Sequence, residues 1–173
     1  MMADDRFTLA LQARIRRCTA ADLGALEWYG LFTAHREIIR GAFEAQERGD
    51  GLMLLVDVNG FPAGQLWVDL ARGRDRGTAV LWAVRVFPPL RSLGLGGRLL
   101  QAAERVLRDR EYGWAELGVE RSNIAARRLY ARTGYVVAGE ERGWFTFTPP
   151  GATSAVRQRR DELIMRKRLR DAV

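Results

Sequence analysis

Three glycines fall within four residues just where a helix should begin, in the stretch Arg91-Ser92-Leu93-Gly94-Leu95-Gly96-Gly97-Arg98. Each glycine costs a helix roughly 1 kcal/mol relative to alanine, so this spot needs a bare backbone. Upstream, "TAVLWAVRVF" (78–87) is rich in β-branched and aromatic residues and reads as a strand. Downstream, Leu95, Leu99, Ala102, Ala103, Val106 and Leu107 recur at helical spacing, predicting a helix over 94–110. A strand, a glycine loop and a helix N-terminus together make an anion cradle. The first N–H groups of a helix lack intrahelical partners and sit at the positive end of its dipole. Without Cβ atoms in the way a phosphate group approaches them closely, and Arg91 and Arg98 add charge at either end. The loop is not a P-loop, because no Gly-Lys-Ser/Thr follows it. Nor does it fit the dinucleotide fingerprint, since Leu99 stands where a third glycine belongs.

The elements around this unit predict a single α+β domain over residues 1–173, with a loose start at 1–10. "LQARIRRC" (11–18) alternates as a strand does, and Thr19 with Asp22 opens a helix over 19–32 through a variant capping box. A second helix spans about 34–48 and closes at Gly49. "GLMLLVDV" and "FPAGQLWVDL" flank Asn59-Gly60, a strong short-range hairpin signal. "YGWAELGV" (112–119) is a short strand, and "NIAARRLYARTG" (123–134) is a helix stopped by Gly134. "YVVAGEE" (135–141) and "DELIMRKRL" (161–169) are the closing strands. The segment between them, with Trp144, Phe145, Phe147 and a Pro-Pro-Gly break, reads as a long loop.

A chain of 173 residues can bury a sizeable core without disulfides or metals. Its net charge of +7 raises the question of nucleic acid. However, Lys167 is the only lysine, and the arginines are spread along the chain. A polyanionic small ligand accounts for that charge as well, so nucleic acid is not the expected partner. The lone Cys18 permits no intrachain disulfide and indicates a reducing compartment; it reads as a small, half-buried side chain. No apolar run approaches the ~20 residues of a membrane span, and the acidic "MMADDRF" start is no signal peptide. The expected location is the cytoplasm. No Cys/His cluster has metal-ligand spacing, and no metal is expected.

With Val86 and Pro88 upstream, Arg91, Gly94 and Gly96 resemble the Arg/Gln-x-x-Gly-x-Gly/Ala acetyl-CoA signature of the GNAT superfamily of N-acetyltransferases. A second element appears downstream at the expected distance. Asn123, Ala126, Leu129, Tyr130, Gly134 and Tyr135 are similar to the family's Asn-x-x-Ala-x-x-Leu-Tyr-x-x-x-Gly-Phe/Tyr segment. The resemblance covers about 79–169. It implies α/β/α layers: a mixed, mostly antiparallel sheet of about seven strands, splayed at its centre and flanked by about four helices.

The resemblance also implies roles. The main chain of Val84, Arg85 and Val86 would pair with the pantetheine arm of acetyl-CoA. The N–H groups of Ser92, Leu93, Gly94, Leu95, Gly96 and Gly97, with Arg91 and Arg98, would cradle its pyrophosphate. Asn123 would fix the helix-side wall of the slot, and a main-chain N–H near Val86 would stabilise the oxyanion. Tyr130 would protonate the departing thiolate; its alternative is a core tyrosine.

The attacking amine, with a pKa near ~10, must lose a proton. Relatives acting on protein N-termini often carry a glutamate where this chain has Gly118. Glu116 and Glu120 flank that position on the same strand face; Asp69 or a water chain are the other bases. The missing glutamate favours a small-molecule amine over a protein N-terminus or lysine. A catalytically silent acyl-CoA-binding module is the remaining alternative. Trp28, Tyr29, Phe32, Trp144 and Phe145 are expected at the acceptor pocket, Trp67 and Trp82 in the core. His35, near the helix junction that overhangs the acceptor site in this family, reads as an exposed or capping residue, with a catalytic role as the lesser alternative. Dimers are frequent in the family, and the exposed aromatics would serve one.

Overall fold

In the computed structural model, which describes residues 10–147 and 154–170, seven strands form one sheet. The elements run β1 (Ala13–Arg17), α1 (Arg36–Glu47), β2 (Gly51–Val58), β3 (Phe61–Asp69), β4 (Thr78–Val86), α2 (Leu95–Asp109), β5 (Trp114–Glu120), α3 (Ile124–Arg132), β6 (Val136–Phe147) and β7 (Val156–Arg168). The sheet order is β1-β2-β3-β4-β5-β7-β6. Every pairing is antiparallel except β4 with β5, which run parallel. The hairpin at Asn59-Gly60 forms as its sequence requires: both residues have positive φ, 50° and 86°.

Each face of the sheet carries its own core. On one face Leu54, Val56, Leu66, Leu81, Leu117 and Met165 pack against Leu99, Leu100, Ala103 and Leu107 of α2 and Tyr130 of α3. On the other, Cys18, Leu26, Met53, Leu55 and Trp67 pack against Ile39 and Ala42 of α1. The alternation along β3 separates the two cores: Leu66 and Val68 point to α2, whereas Trp67 points to α1. The layers are therefore helix, sheet, helix.

Five expectations change. The helix over 19–32 is replaced by short 3-10 turns at Ala20–Asp22 and Ala25–Glu27, and a third at Thr33–His35 leads into α1. Trp28, Tyr29 and Gly30 all have positive φ (46°, 57° and 96°), which no right-handed helix accommodates. The compensation is tertiary: the Trp28 ring is buried, and its Nε1–H donates to the Pro62 carbonyl at 2.7 Å. The helix count among the described residues is accordingly three rather than about four.

The long loop over 142–160 is mostly sheet. β6 runs on to Phe147 and β7 begins at Val156, so the alternating "GWFTF" and "VRQRR" pair as a hairpin. The Pro-Pro-Gly break lies outside the described residues. Finally, Cys18 is fully buried, and Trp82 is partly exposed where a core position was expected.

Candidate active site

β4 and β5 pair for only four residues, from Thr78 with Trp114 to Leu81 with Leu117. Beyond that point β4 continues to Val86 beside β3 alone, and β5 continues to Glu120 beside β7 alone. A bulge drives the two strands apart. The β3–β4 register slips between Gln65 and Trp67, and Ala83 takes a φ of 50°. The result is a gap in the middle of the sheet, bordered on one side by the main chain of Val84, Arg85 and Val86. Strand-edge groups without a ladder partner are ready to receive an extended ligand.

The glycine loop closes one end of this gap, and its glycines have different duties. Gly94 has a φ of 78° and caps α2 without a side-chain hydrogen bond; a Cβ there would meet nothing within 4 Å. Ser92 is also left-handed, at 64°. Open space, two left-handed residues and the unpartnered N–H groups of Leu95, Gly96 and Gly97 make a concave, electropositive surface. Gly96 serves packing instead. A Cβ there would lie 3.1 Å from Leu129 Cδ2, so its bareness lets α2 approach α3. Arg91 donates from Nε to the Val86 carbonyl at 3.1 Å and ties the loop to β4. Leu93 is exposed on the loop, and Arg98 lines a groove with Arg14 and Arg105.

On the α2–α3 face, Asn123 caps α3, its Oδ1 accepting from Ala126 N–H at 3.1 Å. Tyr130 follows two turns later, its ring 6.1 Å from that of Tyr135. Burial pushes its phenol up to about 12, so it carries its proton throughout the physiological range.

The carboxylates divide sharply. Glu116 lies opposite Val80, where β4 and β5 are still joined, and accepts from Arg166 Nε at 2.5 Å. Asp69 is engaged by the main-chain N–H groups of Ala71 and Arg72 at 3.0 and 2.9 Å. Glu120 is exposed and stands opposite Glu162. Glu162, on β7, is the carboxylate the sequence reading missed. It leans across Gly118, the first β5 residue beyond the gap's apex: a Cβ at 118 would fall 2.9 Å from Glu162 Oε2. Burial, then the like charges of Glu120 and Glu141, hold its carboxyl above the usual range against the opposing pull of Arg160. Alternation along "DELIMRKRL" places Glu162, Ile164 and Arg166 on one face. Only the β5–β7 register reveals that this face meets Gly118.

Of the aromatics, Trp28 belongs to the core, Tyr29 is exposed and stacks on Phe61, and Trp144 is exposed beside Arg157. The Phe145 side chain lies outside the described residues. Phe32 packs edge-on against His35, whose Nδ1 is buried without a hydrogen-bond partner among the described residues. Burial and the nearby Arg85 charge hold His35 below its usual pKa. The Cys18 thiol is buried and pushed up to about 12 chiefly by desolvation, which makes it a poor nucleophile. Among the described residues no group of three or more His, Cys, Asp or Glu is arranged to hold a metal, and no helix is long and apolar enough to cross a membrane.

The acetyltransferase (GNAT) family profile matches residues 19–135. No curated protein matches the chain in sequence. Among solved structures, yncA of Salmonella typhimurium, determined with its cofactor acetyl-CoA, superposes with a TM-score of 0.72 at 19% identity, covering 94% of this chain and 96% of that one. The ribosomal-protein-S18-alanine N-acetyltransferase of Escherichia coli gives 0.71 at 22% identity, over 94% and 97%. The paia N-acetyltransferase of Thermoplasma acidophilum, in complex with coenzyme A, gives 0.65 at 18% identity, over 91% and 99%. With the family profile spanning both the glycine loop and Tyr130, this chain belongs to the GNAT family of acetyltransferases.

Proposed function

We propose that the protein transfers the acetyl group of acetyl-CoA directly to the primary amine of a small molecule, with both substrates bound at once. The observation that carries this reading is the gap between β4 and β5, which opens beside the bare, left-handed Gly94. The gap accepts an extended arm on the main chain of Val84 to Val86, and the loop from Ser92 to Gly97 accepts its phosphates. Acetyl-CoA supplies a thioester carbonyl open to attack by a neutral amine.

The protein's own groups then divide the proton work. Tyr130 belongs to the α2–α3 core and Glu162 to the opposite face, and in this reading each acts on the thioester from its own side of the sheet. Glu162, with its carboxyl held above the ordinary range, takes the amine proton; Glu116 is occupied by Arg166 and sits short of the gap. Tyr130, protonated at all working pH values, gives its proton to the departing thiolate. A main-chain N–H near Val86 receives the developing oxyanion. Transfer through a covalent acetyl-cysteine is disfavoured by the buried Cys18. Room for a small acceptor exists on the α1 face in a cleft of about 400 Å³ at the Trp67–Trp82 pair, which extends toward Asp50 and Asp69 and is lined by none of Gln65, Arg85, Gly118 or Glu162.

The test is thiol release from acetyl-CoA in the presence of amino acids, polyamines, aminoglycosides and peptides with free N-termini, with the protein's mass followed in parallel. Release that requires an amine, with no acetylated protein accumulating, is expected. Release without amine through a stable acetyl-enzyme would contradict direct transfer. Coenzyme binding with no release in any arm would indicate the silent-module reading.

A further inference from the structure

On the α1 face beside the gap, an unusual set of polar groups has no partner. Arg85 makes no hydrogen bond or ion pair among the described residues; its Nη1 is buried, and burial alone shifts its guanidinium, downward. Its charge lies 4.3 Å from the Phe32 ring centroid and 5.8 Å from that of Trp67. Gln65, its cross-strand partner on β3, is fully buried, and neither of its amide atoms is hydrogen-bonded among the described residues. Trp67 Nε1 and His35 Nδ1 are likewise buried and unpaired. Groups of this kind cost stability unless something completes them.

Among the described residues no acid pairs with Arg85, Glu162 at the gap included, and several are committed to other arginines. Asp57 and Asp22, on the same face, are held by Arg16 at 2.6 and 2.7 Å. Glu27 is held by Arg36 and Glu116 by Arg166. Among the described residues Arg85 thus stands without an anion where β4 bends away from β5, its planar guanidinium held over the Phe32 ring and near that of Trp67. The orphaned donors of Gln65 and Trp67 beside it can serve the same guest.

From this arrangement we propose that the acceptor carries a carboxylate as well as its amine, and that Arg85, with Gln65, binds the carboxylate and selects for it. An acceptor of the amino-acid class fits. The inference rests on the acetyl-transfer reading and adds a substrate class to it. It also explains why the cation is left bare: the missing counter-ion arrives with the substrate, whose carboxylate orients the amine toward the thioester.

The experiment compares thiol release with the twenty α-amino acids and their α-carboxamides, using wild type, Arg85→Gln and Arg85→Lys. At least one acid is expected to exceed its amide in kcat/KM by about tenfold or more, the scale of one charge-assisted hydrogen bond. Arg85→Gln should erase that preference, mainly through KM, while Arg85→Lys keeps part of it. Acetyl-CoA affinity should stay within about twofold, because only the Arg85 main chain faces the arm. Arg85→Gln should also melt no lower than wild type, since it removes an unpaired buried charge. If acids and amides react equally, the carboxylate site is wrong and acetyl transfer stands. If no amine reacts, acetyl transfer is wrong. The site is then tested by binding of N-acetyl amino acids against their amides, where the absence of an Arg85-dependent preference overturns it.

Discussion

The Glu162 carboxylate occupies the space that a side chain at position 118 would fill, its Oε2 2.9 Å from a Cβ placed on Gly118. The glycine on β5 and the acid on β7 are therefore one feature. Where a glutamate is absent from β5, the neighbouring strand delivers one to the same place, beside the end of the β4–β5 pairing. Gly118→Ala should push the carboxylate aside and lower kcat about tenfold or more with little change in the melting temperature. Because only a flexible side-chain end must move, an unfolded Gly118→Ala variant would show that the glycine serves packing. The double variant Gly118→Glu/Glu162→Ala moves the carboxylate back to β5, and is expected to recover activity relative to Glu162→Ala alone.

Tyr130→Phe should reduce kcat by about 10²-fold or more, within the usual range for a general acid, and leave the dissociation constant of acetyl-CoA nearly unchanged. Its hydroxyl makes no hydrogen bond among the described residues, so thermal stability should hardly move. An unaltered kcat, measured with the best acceptor at saturation, would leave Tyr130 a core residue only.

Gly94 and Gly96 should fail in different ways. Gly94→Val imposes a β-branched residue on a φ of 78° and fills open space, so coenzyme binding should be lost from a protein that still folds at a cost of about 1–2 kcal/mol. Gly96→Val presses on Leu129 and should destabilise by about 1–3 kcal/mol, as overpacking does. Calorimetric titration with coenzyme A and thermal melts separate the two. Identical behaviour would contradict the division of duties.

Acid stability is tied to Asp22. Arg16 grips both of its oxygens at 2.7 Å and holds its carboxyl down at about 2, against an ordinary 3.8. A depressed folded pKa stabilises above the unfolded value and loses that contribution as pH falls through the folded one. Asp22→Asn should therefore cost about 2 kcal/mol at pH 7, and flatten the loss of stability between about pH 4 and pH 2. Equal acid sensitivity in wild type and variant would remove Asp22 from that transition.

Much of this architecture was readable beforehand, for physical reasons that differ by element. The hairpin at Asn59-Gly60, the amphipathic α2 and the alternating strands follow from local periodicity and turn chemistry. The segment over 19–32 was misread because its helical spacing is real, whereas the left-handed run at Trp28, Tyr29 and Gly30 depends on a tertiary contact with Pro62. The site was half legible. Its glycine loop and Tyr130 sit in local motifs, but Glu162, Gln65 and the Arg85 side chain acquire meaning only through strand register. Residues from β3, β4, β5 and β7 border the site across nearly the whole span from Gln65 to Glu162, and no local signal records which face of one strand meets which face of the next.

The most direct test of the acid–base assignment is the pH dependence of kcat/KM for thiol release, wild type against Glu162→Gln. The account predicts that the wild-type rate climbs through an apparent pKa above the ordinary carboxylate value of 4.5, and that the variant loses this limb and about 10²-fold or more in rate. A variant with the same profile and the same rate would contradict it, and would pass proton removal to Glu116, Glu120, Asp69 or water.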